Sequence, residues 1–170
     1  YAAFGDCNSL TEIVIPDSVI SIDDYAFRGC TSLKSVTIGD GVTSIGDFAF
    51  QNCVKLEEIN VSANGAAAVK NTLPSSLKDT LTGSNIFNGC VKLTVINIPN
   101  FDEGMEAALQ KAASMFANCT GLTTVNVAKN VSNLSGSMFE GSGVPEGMKV
   151  TFASGSEMKM LMSGAFKNAN

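Results

Sequence analysis

The chain has 170 residues, 45% of them apolar and 16% charged, with a net charge of -5 and a mean hydropathy of +0.19. Such a composition forms one globular domain with a sizeable core and excludes a disordered chain. Acidity without a basic run excludes nucleic acid as a partner, the lack of histidine removes the commonest general base and metal ligand, and no apolar run of about 18 residues offers a membrane span.

A repeat runs through the chain. Its anchors are Phe4, Phe27, Phe50, Phe87, Phe116, Phe139 and Phe166, spaced 23, 23, 37, 29, 23 and 27 residues apart. The larger spacings fit insertions in a base unit of 23. Three residues after an anchor stands Cys7, Cys30, Cys53, Cys90 or Cys119, and three further on Leu10, Leu33, Leu56, Leu93 or Leu122. Then follow the pairs Ile13/Ile15, Val36/Ile38, Ile59/Val61, Ile96/Ile98 and Val125/Val127. The sixth unit has Ser142 for the cysteine, Pro145 for the leucine and Met148/Val150 as its pair. The seventh breaks off at Ala165-Phe166-Lys167-Asn168.

Apolar residues two apart predict a short strand with both side chains on one face. One strand per repeat, with some 20 residues between, must stack in parallel, because a hairpin needs far less chain. A second apolar pair follows at Val19/Ile22, Val42/Ile45, Val131/Leu134 and Met158/Leu161. Pro16 and Gly39-Asp40-Gly41 predict the turn between the two segments. Asp23-Asp24-Tyr25-Ala26-Phe27 reads as a short helical turn with aspartate at its N-cap.

Two insertions depart from the unit, near 62–85 and 100–114. In the first, Asn64-Gly65 marks a turn, the run Ala66-Ala67-Ala68 favours helix, and Pro74-Ser75-Ser76-Leu77 is a break and new start. In the second, residues 102–115 predict a longer helix, with Asp102 and Glu103 in its first turn and Met105, Ala108, Leu109, Ala112, Met115 and the following Phe116 on one face.

The stretch Ile13-Val14-Ile15-Pro16-Asp17-Ser18-Val19-Ile20-Ser21-Ile22-Asp23-Asp24-Tyr25-Ala26-Phe27-Arg28-Gly29-Cys30 resembles the leucine-rich repeats of the BspA-like, or Treponema-type, subclass. The resemblance covers nearly the whole chain and weakens after Gly141. It implies an α/β repeat solenoid over 1–170: a right-handed coil with a parallel concave sheet, about six complete coils, short helical turns and one longer convex helix. Neither end carries the polar cap a solenoid needs, so a piece of a longer array is expected. The resemblance further implies adhesion or protein binding at a cell surface or outside the cell, without catalysis or cofactor.

The five cysteines form a column, one per coil. Parallel side chains suit neither a disulfide nor a tetrahedral zinc cage, so they read as small buried core residues. Four Asn-x-Ser/Thr tripeptides, at Asn60, Asn118, Asn130 and Asn133, match a glycosylation acceptor, but chance accounts for so short a motif. No nucleophile motif, phosphate loop or calcium loop is present.

The candidate site is the concave sheet face. Between the inward pairs stand Val14, Thr37, Asn60, Asn97, Asn126 and Lys149, with Glu12, Ser35, Glu58, Val95 and Thr124 beside them. The asparagines could stack as an amide ladder. The face reads either as a docking surface for a protein or as sheet stabilisation by small polar residues. The insertion at 62–85 is an equal candidate, since loops on rigid scaffolds carry recognition. Two further functions fit: a stiff spacer without a ligand, and an accessory repeat domain fused to an enzyme.

Overall fold

The computed structural model describes residues 2–63, 66–77, 83–99, 113–131, 133–155, 160–161 and 165–170. Its strands are β1 (Glu12–Ile15), β2 (Ser21–Ile22), β3 (Ser35–Ile38), β4 (Ser44–Ile45), β5 (Glu58–Ala63), β6 (Ala66–Val69), β7 (Val95–Ile98), β8 (Thr124–Val127), β9 (Asn133–Leu134), β10 (Lys149–Phe152) and β11 (Met160–Leu161). The rungs β1, β3, β5, β7, β8 and β10 recur once per repeat, so six rungs bound five full turns, against about six coils expected. β1 pairs β3 and β3 pairs β5 in parallel, as do β7 with β8 and β8 with β10. The second apolar pairs end in two-residue strands, which pair β2 with β4 and β9 with β11.

The core is a set of columns, each made of one residue type repeated along the axis. Val36, Ile38, Ile59, Ile96, Ile98, Val125, Leu33, Leu56, Leu93 and Leu122 are buried between the sheet and the opposite turns. Seven phenylalanine rings stack from Phe4 to Phe166, centroids 5.0–5.5 Å apart and planes within 10°. The phenyl column is thus continuous across both insertions.

No helix occurs among the described residues, which corrects the expected short helical turns. The reason lies in where the amides go. Tyr25, Phe27 and Gly29 donate to Asp47, Ala49 and Gln51 of the next coil at 2.8–2.9 Å, while Ala26, Arg28 and Cys30 close tight turns on Asp23, Tyr25 and Phe27 at 3.1–3.3 Å. Alternate amides therefore leave the turn, and no run of helical bonds can form. Residues two before and two after the stacked rings from Phe4 to Phe139 have positive φ, as at Tyr25 (59°) and Gly29 (72°), Phe48 (58°) and Asn52 (59°), and Asn85 (58°) and Gly89 (77°). The aspartates serve this ladder rather than a helix cap. Asp24 Oδ1 accepts from Asp47 N at 2.8 Å, and Asp47 Oδ1 from Ser84 N at 2.6 Å.

The longer helix expected over 102–115 falls almost wholly outside the described residues. Residues 100–112 lie outside the described residues, and 113–115 form a turn with Ser114 at φ 57°.

The first insertion is not a side loop. The alanine run expected to favour helix is strand β6, antiparallel to β5 through Val61↔Val69 and Ala63↔Ala66. Pairing along the β5 edge overrides the modest helix preference of alanine. The chain then turns at Asn71, φ 52°, and Thr72 enters the sheet. Thr72 N donates to Ile59 O at 3.0 Å, and Asn97 N donates to Asn71 O at 2.6 Å. Leu73 and Leu77 are buried, in a Leu-Pro-Ser-Ser-Leu that repeats Ile15-Pro16-Asp17-Ser18-Val19. The insertion is a partial extra rung wedged between β5 and β7, and it divides the sheet into β1-β3-β5-β6 and β7-β8-β10.

Candidate functional site

The outward sheet face presents its side chains in two columns, because each rung adds the same alternation in register. Glu12, Ser35 and Glu58 align in the first three rungs, and Val95, Thr124 and Lys149 in the last three. Val14, Thr37 and Asn60 form the second column, continued by Asn97, Asn126 and Thr151. Lys149 thus stands by register in the glutamate column. By register Val150 and Phe152 align with Val125 and Val127, a shift of two residues after the Gly143–Gly147 turn that makes Thr151 the outward residue the sequence reading missed, although Met148 and Val150 are the two that pack against the core and Phe152 is 39% exposed.

The insertion reshapes this face. Lys70 Nζ lies 3.1 Å from Glu58 Oε1, and Asn60 Nδ2 bonds Glu58 Oε2 at 3.3 Å. Those two bonds hold the Glu58 carboxyl below its ordinary range, the Lys70 bond foremost. Asn60 is 7% exposed. Asn97 Nδ2 donates to Lys70 O at 3.3 Å, and Thr72 Oγ1 to Asn97 O at 3.2 Å. The amide ladder consequently has two members: Asn126 Nδ2 donates to Asn97 Oδ1 at 2.8 Å, while Asn60 bonds Glu58 instead. Beyond the wedge, an open cleft of about 410 Å³ is lined by Val69, Thr72, Pro99, Asn126, Thr151 and their neighbours. Lys70 and Thr72 carried no direct signal in the sequence; the one available was Leu73-Pro74-Ser75-Ser76-Leu77, which repeats Ile15-Pro16-Asp17-Ser18-Val19 and so implies a rung ending near Leu73.

The cysteine column has a polar role as well as the expected burial. Cys30, Cys53, Cys90 and Cys119 donate their thiols to Phe4, Phe27, Phe50 and Phe87 carbonyls of the preceding coil at 3.0–3.4 Å. Burial pushes all four thiols up, Cys53 and Cys119 to about 12. They are protonated and poorly nucleophilic at neutral pH. Among the described residues no group of three or more His, Cys, Asp or Glu side chains could hold a metal ion. Nor is any helix there long and apolar enough to cross a membrane.

A parallel solenoid whose coils repeat one sheet rung, one stacked phenylalanine and a cysteine or serine three residues after it is the architecture of a leucine-rich-repeat protein. The chain matches the BspA type leucine rich repeat region in 6 copies, over residues 1–144 and 69–170, and belongs to that family. No curated protein matches it. Among solved structures, a leucine rich cell surface protein of Faecalibacterium prausnitzii is similar with a TM-score of 0.56 and 24% identity, over 85% of this chain. The chain spans 32% of the length of that protein. The leucine rich repeat protein of T. pallidum matches with a TM-score of 0.45 and 20% identity, over 85% of this chain and 73% of its own. A leucine-rich repeat protein of Bacteroides ovatus matches with a TM-score of 0.37 and 19% identity, over 99% and 67%. Repeat folds of this kind are generally non-catalytic scaffolds for protein interaction, and no enzyme family is indicated.

Proposed function

We propose that this chain is a non-catalytic protein-binding module of a cell-surface or secreted protein, and that its outward sheet face is the docking surface. The observation that carries the reading is the pair of side-chain columns, Glu12 to Lys149 and Val14 to Thr151, held in register by a rigid stack. Membership of the BspA type family and likeness to a surface protein support the location. The test is capture of extracellular proteins by the wild type beside Thr37→Arg and Thr151→Arg, with folding checked by circular dichroism. A partner lost in either folded variant places docking on this face; a partner indifferent to both moves it elsewhere.

The spacer reading draws on a different observation. A ring column from Phe4 to Phe166, with backbone ladders on two sides, is the construction of a stiff rod. Failure to capture any partner, together with unchanged attachment by cells bearing both variants, favours it.

A further inference from the structure

Charge is unevenly shared along the solenoid. Residues 1–63 hold nine acids and three bases, the remainder seven acids and eight bases. On the outward face the same contrast sets Glu12-Ser35-Glu58 against Val95-Thr124-Lys149. Glu12 is exposed and makes no ion pair with any described residue. Glu58 takes a lysine from the chain's own insertion. Next to it, Asn60 is more than nine-tenths buried, and its Oδ1 has no hydrogen-bond partner. A buried acceptor without a donor is costly, and two carboxylates flank the same surface. The two carboxylates of this face therefore ask for cations, Lys70 shows one such contact already made, and the Asn60 acceptor, inaccessible while that contact stands, is reached only when it opens.

We propose that the face of the first three rungs docks an extended cationic peptide segment of a protein partner, its cations on Glu12 and Glu58 and an N–H donor on Asn60, and that Lys70 holds Glu58 until the partner displaces it. This rests on the docking reading above and names the chemistry of the partner. Glu12 and Glu58 are two rungs apart, about 10 Å. An extended chain covers that distance in about three residues. The fitting segment carries a lysine or arginine at every third position.

The probe is a twelve-residue peptide of repeating Lys-Gly-Ser, titrated calorimetrically into the folded chain near physiological salt. Lys70→Ala is expected to tighten binding by about 2–5-fold, the worth of one exposed ion pair. Lys167→Ala, which removes a lysine from the distant Glu140 pair, is expected to leave it nearly unchanged. The Glu12→Gln/Glu58→Gln pair is expected to weaken binding about tenfold, and the charge-matched Asp23→Asn/Glu146→Gln pair less than about twofold. Equal effects of the matched variants mean attraction to overall charge and overturn the proposal. So does a peptide that binds neither wild type nor Lys70→Ala. A protein partner lost with Thr37→Arg, beside either of those results, leaves the docking reading standing and removes only the cationic partner.

Discussion

The thiol of Cys119 donates to the main-chain oxygen of Phe87 at 3.2 Å. Ser142 makes the same bond to Phe116 with its hydroxyl. The interchange of cysteine and serine in this column therefore follows from a shared donor as well as from small size. Cys90→Ser should keep the bond to Phe50 and cost about 1 kcal/mol. Cys90→Val should cost about 2–3 kcal/mol, because it loses the donor and overpacks the column. Urea denaturation of the three proteins checks the order, and valine at or below serine in cost contradicts it.

Thiol burial also sets the response to alkali. Unfolded cysteine ionises near pH 9, whereas Cys53 and Cys119 in the fold are held protonated to about 12. Only the unfolded chain loses these protons between those values. Stability is then fully present below about pH 9 and falls by about 1.4 kcal/mol per pH unit for each such thiol up to about 12. The urea midpoint measured from pH 7 to 11 should be flat and then decline, with a shallower decline in Cys53→Ser. At pH 8, an alkylating reagent should modify Cys7, which is part-exposed, and leave the four buried cysteines until the chain unfolds.

The ring column gives a graded prediction. Phe50 and Phe87 are fully buried with a ring on each side, and each change to alanine should cost about 3–5 kcal/mol. Phe4 ends the column at 45% exposure, so Phe4→Ala should cost clearly less. Equal losses at Phe4 and Phe50 would show that the stack is not what stabilises the array.

Glycine at 89 meets two constraints. Its φ is 77°, and a Cβ there would lie 2.5 Å from Asn52 Oδ1 of the preceding coil. Gly29 and Gly141 face Asp6 and Asn118 in the same way. Gly89→Ala should destabilise by about 2 kcal/mol, and adding Asn52→Gly should recover the part due to contact while the backbone strain of about 1 kcal/mol stays. No recovery in the double variant would mean that strain alone accounts for the loss.

The repeat was readable because each coil places the same residue in the same column. Phe27, Cys30, Leu33, Val36 and Ile38 announced the parallel rungs and the core. The turn around Tyr25 was misread as helical, since its amides bond carbonyls 22 residues away and local propensity carries no trace of them. The alternation of Asp6, Gly29, Asn52, Gly89, Asn118 and Gly141, two after each phenylalanine, was the available signal for left-handed turns. The strand register follows the repeat count through five rungs and shifts by two residues at β10, where the Pro145 unit lacks the leucine that sets the count. In the wedge at Thr72, strand β6 was out of reach, because it is fixed by the free edge of β5 and not by its own alanines.

That wedge has a consequence for how order spreads. Sheet bonding between the third and fourth rungs narrows to the Thr72 contacts, while the opposite side stays joined through Phe50 N to Ile86 O at 2.9 Å. In a linear array, the weakest junction decides how far a local loss of structure travels. Fraying that starts at either end therefore meets its barrier near Thr72, and the insertion acts as a firebreak between two blocks of three rungs each.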